Sequence, residues 1–316
     1  MYSVRDKRVS VAGSSGFLGR HIIEQLLAQG AIVRGLSLQG RGNIQPDIES
    51  LHVDLRDSEM ARSALQGQDA LIIAAANTSG AQVMANNPLA HLLDNTLING
   101  SLLRAAVLNG LSRVLFISSS TVYPNGASPM AEADFTGTYF SSYETVATMK
   151  KYFEDSCIQI SRHSQTECVI VRPGNAYGPF DHFDSPNSHV IPALVSKVHR
   201  STSALEVWGD GKDIKNFIFV SDLAQGIVAA LQNGEPGQIY NLGGPEEISI
   251  DSVIEILLSC AGKDDLEVIY DPSKPSMIPV RRINSDRAAK EIGFRAQTSI
   301  QEGLRLTYDW YASQVP

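Results

Sequence analysis

The chain has 316 residues, 43% hydrophobic and 19% charged. At roughly 100–200 residues per domain this is one large domain or two closely joined ones, with too much apolar material for a mainly disordered chain. The net charge of −8 argues against a nucleic-acid surface, no apolar run reaches the ~18 residues of a membrane span, and three scattered cysteines, Cys157, Cys168 and Cys260, suit neither a disulfide framework nor a metal site.

The N-terminus, MYSVRDKRVSVAG, enters a strand-like stretch with no apolar signal region, and the sparse cysteines make the cytoplasm the expected setting. Residues 9–12 form a short β-branched run ending in glycine. Leu18, Ile22, Ile23, Leu26 and Leu27 then recur at helical spacing, closed by Gly30. Strands are expected at 31–36 and 50–53, a helix at 58–65, a buried strand at 70–75, a long helix at 95–109 and a strand at 113–118. A helix at 143–162 and a strand at 168–172 follow. Strands alternating with helices predict a parallel sheet covered on both faces. After Tyr177 the pattern becomes irregular: a loop at 179–186, a helix at 191–199, short strands at 205–208, 218–220 and 239–242, and a helix at 222–232. This stretch reads as a smaller lobe fused to the first, with a shared cleft.

Gly13, Gly16 and Gly19 punctuate the junction of the first strand and first helix. Glycines there permit a tight turn and close approach of backbone to a pyrophosphate, while the helix N-terminus favours the anion. The alternative is a plain structural turn. Asp54, in HVDLRD at the end of the third strand, is placed to accept a hydrogen bond from adenine, or is simply a turn aspartate. The second strand ends at Ser37, where an acid would read the ribose 2′-hydroxyl of NAD, and Arg41 follows. An arginine pairs well with a 2′-phosphate, so NADP is preferred over NAD, unless Arg41 is a solvated loop charge.

Several motifs in order resemble the extended short-chain dehydrogenase/reductase family, the nucleotide-sugar epimerases and dehydratases. They are VAGSSGFLG at 11–19, DL at 54–55, AAA at 74–76, Asn95 with Gly100, SSSTVYP at 118–124, RPGNAYGP at 172–179 and WGDGKDIKNFIFVSDLA at 208–224. Within the family, NSHVIPAL at 187–194 and YPNGASPMAE at 123–132 are most similar to the GDP-L-fucose synthase group of keto-sugar epimerase/reductases. The resemblance implies an α/β fold, a doubly wound parallel sheet of Rossmann type with about seven strands and a smaller C-terminal substrate-binding lobe. It implies residues 1–176 as the dinucleotide-binding part, 177–316 as mainly the substrate lobe, and a return to the sheet around 209–245. It also implies a bound NADP or NAD, a nucleoside-diphosphate sugar and a homodimer, with no membrane or nucleic-acid partner. Cofactor contacts fall on Gly13, Ser15, Gly16, Phe17, Leu18, Gly19, Asp54, Leu55, Ala74, Ala75, Ala76, Asn95, Lys150, Pro173 and Ala176.

Aligned on VYP, the family's catalytic serine falls at Ser119, and its lysine at Lys150, with Glu154 one turn on. His189 matches the acid of the fucose-synthase group, and that group's partner cysteine falls at Thr121, whose hydroxyl is a far poorer base. Substrate contacts are implied for Thr121, Asn175, Asn187, Ser188, His189, Trp208, Lys215, Arg281 and Arg282; the family usually carries arginine where Lys215 stands.

One position departs. The family's tyrosine stands four residues before its lysine, and here that residue is Val146, which cannot move a proton. Tyr143 lies nearly one turn earlier. Tyr270 and Lys274 have the right spacing, but Pro272 between them breaks a helix. Three readings stay open: another acid such as Tyr143 or His189 has been recruited, the chain is an altered inactive form, or it binds its ligands without redox turnover.

Overall fold

A computed structural model of the protein describes residues 2–38, 48–78, 87, 89–124, 126, 128–183, 188–273 and 278–315. The first half alternates as its apolar pattern dictates: β1 (Arg8–Ala12), α1 (Phe17–Ala28), β2 (Ile32–Ser37), β3 (Glu49–His52), α2 (Ser58–Ala64), β4 (Ala70–Ile73), α3 (Ala90–Leu108), β5 (Arg113–Ile117), α4 (Glu144–His163) and β6 (Glu167–Pro173). The small lobe and its connections follow: β7 (Asn175–Tyr177), α5 (Val190–Arg200), β8 (Ala204–Trp208), β9 (Ile214–Phe219), α6 (Val220–Asn233), β10 (Ile239–Leu242), β11 (Glu247–Ser249), α7 (Ile250–Ala261), β12 (Glu267–Asp271), β13 (Val280–Arg281) and α8 (Ile300–Gln314).

Seven strands make one parallel sheet in the order β10-β6-β5-β4-β1-β2-β3. β4 and β5 are buried along their whole length, because helices cover both faces. On one face Ile22 and Leu26 of α1 meet Ile227 and Leu231 of α6. On the other, Leu102 and Ala106 of α3 lie over the sheet with Phe153 of α4. The parallel sheet expected from the alternation, and the doubly wound form that the resemblance implies, are the observed ones. Both ends of the first crossover are set by glycine: Gly16 opens α1 and Gly30, at φ +80°, closes the turn after it.

In the smaller lobe β9 pairs antiparallel with β11 and parallel with β7 and β13, while β8 and β12 form a separate parallel pair. A third core fills it, with Leu194 and Val198 of α5, Ile254 and Leu257 of α7, and Leu304 and Tyr308 of α8. Several boundaries differ from the expected ones. The strand expected at 70–75 stops at Ile73, since Ala74 and Ala75 bend past the backbone of Gly13. The helix expected at 95–109 starts earlier, at Ala90. The strand expected at 218–220 spans Ile214–Phe219, and Val220 already begins α6, whose first turn carries Asp222. Among the described residues no helix is long and apolar enough to cross a membrane.

Candidate active site

The glycine turn sits at the carboxyl end of β1, the edge where open parallel sheets bind ligands. Gly13 has φ +84°, and a Cβ there would lie 2.7 Å from the Ala75 nitrogen; a Cβ on Gly19 would collide with the Gly13 carbonyl oxygen. Only glycine therefore lets the strand, the turn and the helix approach this closely. Gly16 caps α1 with no side chain, and the first turn carries no acid, so the positive end of the helix is left for an outside anion. The residues present fit a dinucleotide pyrophosphate. Around this turn, Arg20 Nε donates to the Ser15 carbonyl (3.1 Å), the Phe17 ring stands edge-on to His21, and Leu18 packs onto the core.

The other expected cofactor residues divide by exposure. Asp54 is partly exposed and gripped by Arg56 (2.7 Å), which also reaches Asp94. That guanidinium holds the Asp54 carboxyl down at about 2, so it stays a charged acceptor. Leu55 beside it is core. Ala74, Ala75 and Ala76 leave the end of β4. The Asn95 amide is held by the backbone of Asn77, accepting from its N–H (2.7 Å) and donating to its carbonyl (3.0 Å). It therefore staples the exit from β4. Pro173 ends β6 and Ala176 lies within β7. Arg41 and Asn187 lie outside the described residues.

At the end of β5 the Ser119 hydroxyl accepts from the Thr121 N–H (3.1 Å) and from the Thr121 hydroxyl (3.0 Å), which leaves its own proton to donate. Lys150, on the second turn of α4, donates to the Ile117 carbonyl (2.8 Å) and lies over the Phe116 ring. Burial draws its ammonium down to about 8, with Glu154 pulling the other way. Val146 is half-buried, one turn earlier on the same face. Tyr143 ends the preceding 3₁₀ turn. Burial pushes its phenol up and Arg281 opposes this.

Behind this row lies a buried polar chain. Glu154 accepts from Ser118 (2.6 Å) and takes two bonds from Arg172 (2.8 and 2.6 Å). Arg172 donates to the Tyr123 hydroxyl (2.9 Å), which donates to Asn241 (2.7 Å). The chain ties α4, β6, β10 and the segment after β5 into one unit.

Lys215 and Arg281 are direct cross-strand partners on β9 and β13, and both are buried. Lys215 pairs with Asp213 (3.0 Å) and donates to the Ile278 carbonyl. Among the described residues Arg281 donates to the carbonyls of Tyr123 and Pro124, at 3.4–3.5 Å, and burial lowers its guanidinium to about 10. Like charges directly opposite repel. Two buried cations side by side, with Asp213 pairing Lys215, suit an anionic ligand. Arg282, the next residue on β13, pairs instead with Glu247 (3.0 Å). Asn175 begins β7. Trp208 is exposed at the end of β8 with Lys197 above its ring, Ser188 is half-buried, and His189 caps α5 in the open. Two groups went unread in the sequence. His91 and Asp181 are buried, and each has a side-chain atom with no hydrogen-bond partner among the described residues. Nothing in AHLLDN or in PFDHF marks them, because their burial is set only by the fold.

A glycine-lined turn at the carboxyl edge of a parallel sheet, opening on α1, defines a dinucleotide-binding protein. Residues 9–243 match the NAD dependent epimerase/dehydratase family, and the chain belongs to it. It is 30% identical to the GDP-L-fucose synthase of Sinorhizobium fredii (strain NBRC 101917 / NGR234), over 100% of this chain and 98% of that protein. It is also 30% identical to a dTDP-4-dehydro-6-deoxy-D-allose reductase of a Streptomyces species, over 96% of each. Among solved structures, the UDP-glucose 4-epimerase of Thermus thermophilus in complex with NAD matches with a TM-score of 0.85 and 27% identity, covering 98% of this chain and 100% of that one. These relatives differ in both nucleotide and reaction, while the fold and the NAD-dependent family are common to them.

Proposed function

We propose that the protein binds NADP in preference to NAD and converts a nucleoside-diphosphate sugar by epimerisation, reduction or dehydration. The observation that carries this is the buried pair Lys215 and Arg281, which lacks enough counter-charge among the described residues. A diphosphate supplies that charge. On this reading residues 1–176 hold the cofactor and 177–316 mainly hold the sugar nucleotide. NADP is favoured because β2 ends in Ser37, followed by Leu38, with no carboxylate there to repel a 2′-phosphate. Arg41 is the proposed partner for that phosphate.

When bound, the nicotinamide supplies the hydride chemistry. The chain's own groups do the rest. Ser119 donates its remaining proton to an oxygen of the sugar, and Lys150 supplies positive charge and a hydrogen bond beside it. His189 exchanges a proton next to a keto group, a task for which an imidazole is suited near neutral pH. Val146 leaves the usual phenol position without a proton donor. Tyr143, facing Arg281, is the group proposed to supply one.

A panel of GDP-, UDP- and dTDP-sugars tested for thermal stabilisation checks the substrate class, since a ligand at 100 times its Kd adds about 2.7 kcal/mol. The expected outcome is stabilisation by one nucleotide, lost in Lys215→Ala. No stabilisation by any of them sinks the reading. Val146 favours a second reading, ligand binding without turnover. Tight NADPH binding with no consumption on any sugar of the panel would select it.

A further inference from the structure

The chain leaves β5 through four consecutive residues, each held by a partner. The Phe116 ring lies under the Lys150 ammonium and meets Phe153 of α4 (6.2 Å between centroids). The Ile117 carbonyl accepts from Lys150 Nζ (2.8 Å). The Ser118 hydroxyl donates to Glu154 (2.6 Å), and its N–H donates to the Val171 carbonyl of β6 (2.8 Å). Ser119 Oγ accepts twice from Thr121 (3.1 and 3.0 Å). Phe116 and Ser118 are two residues apart, so the extended chain turns both towards α4.

Lys150 and Glu154 stand four residues apart on one face of α4, so this helix grips the end of β5 at two points. The grips differ. Glu154 is fully buried, and two bonds from Arg172 fix its carboxylate. Lys150 has a flexible four-carbon stem and two further protons to give. Glu154 is therefore the fixed point and Lys150 the adjustable one. Arg172 already gives each Glu154 oxygen a charged partner, so Ser118 is not needed to neutralise the carboxylate. What its hydroxyl adds is location. The C=O of Ile117 and the N–H of Ser118 belong to one rigid peptide plane. Holding Ser118 thus sets the direction of the carbonyl that receives Lys150, and the start of the backbone that carries Ser119.

We propose that Ser118 is a positioning residue: pinned by Glu154, it holds the Ile117 carbonyl as the seat of the Lys150 ammonium and presents the Ser119 hydroxyl beside it. This deepens the proposed roles of Ser119 and Lys150 and rests on them. Ser118 spends its own proton on Glu154 and acts only through its two neighbours in the chain. Thr121 completes the arrangement, since its two bonds leave Ser119 a proton to donate and no accepting role to play.

The test follows the Ile117 carbonyl by carbon NMR and the Lys150 Nζ by nitrogen NMR in the full-length protein, across pH and without substrate. A carbonyl bonded to an ammonium responds when the ammonium loses its proton, so in the parent both signals are expected to change together at about pH 8. Glu154 is the charge that acts on Lys150, and it is kept in every variant. Ser118→Ala is expected to shrink the carbonyl response severalfold while Nζ still titrates, and Ser118→Thr, which keeps the hydroxyl, to restore it. A merely structural role would lower stability and leave the two signals locked together. On the accepted nucleotide sugar, Ser118→Ala is expected to lower kcat by about ten- to a hundredfold with KM little changed, as a displacement of about 1 Å does. A parental carbonyl that ignores Lys150, or signals still locked together in folded Ser118→Ala, overturns the proposal. Should Ser118→Ala not fold, Ser118→Cys takes its place, because a thiol is a weak donor, and an undiminished response there overturns it equally. Uncoupled signals in a variant of a protein that turns over no nucleotide sugar support the positioning and defeat the activity. Turnover with the signals still locked in Ser118→Ala does the reverse.

Discussion

Val146 stands one turn before Lys150 on the inner face of α4, where a phenol would deliver or remove a proton. General acid–base help of that kind contributes ~10²–10⁴-fold, so Val146→Tyr is expected to raise turnover on the accepted sugar at least about tenfold. Tyr143→Phe separates the alternatives: if it abolishes a normal parental rate, Tyr143 has taken over the proton. Lys150 makes a second prediction at this scale. Its folded value, about 8, lies below the ordinary lysine value of 10.5. The fold therefore resists the charged form, and this penalty is present below about pH 8 and fades as pH rises from there towards the ordinary lysine value. Replacing Lys150 by Met should stabilise the chain more at pH 7 than at pH 9.5, by denaturant titration. A gain independent of pH would show that Lys150 is not held in a charge-resisting site.

Elements are joined by the buried pair of Glu154 and Arg172, which links α4 to β6. Removing one charge leaves the other stranded, so Glu154→Gln is expected to cost about 3–5 kcal/mol in chemical denaturation. A loss below about 1 kcal/mol would mean that the surrounding hydroxyls suffice to satisfy Arg172. The same scale explains what could be read from the chain. β1, β4, β5 and β6 were legible because strands covered on both faces are continuous apolar runs. The two-residue β13 and the three-residue β11 were not, since neither has a pattern of its own and both exist by pairing with β9. The helices Ile250–Ala261 and Ile300–Gln314 carry apolar periodicity and serine caps, at Ser249 and Ser299, that could have announced them. In the site, Ser119 and Lys150 were marked by motifs. The pairing of Lys215 with Arg281 depends on contacts between distant segments that no local signal encodes.

At the scale of the whole molecule, α3 carries an outward stripe of Leu93, Leu97 and Leu108, with Leu89 capping its start and Tyr152 exposed on α4. A stripe of this kind suits burial against a second copy, the homodimer that the family resemblance implies. Leu93→Lys with Leu97→Lys is expected to give a monomer by sedimentation without loss of NADPH binding; a parent that is already monomeric sinks the dimer. The sheet has another property at this scale. β6 receives its neighbour β10 only after β7, α5, β8 and β9 have been laid down in the other lobe and α6 has returned to cover the sheet. During synthesis from the N-terminus, the edge of β6 stays bare until residue 242 has left the ribosome, and Tyr123 waits as long for the oxygen of Asn241. The cofactor half therefore has no finished form that precedes the substrate half. A nascent chain halted near residue 177 should present an unpaired strand edge, to which a chaperone or another nascent chain could add a strand.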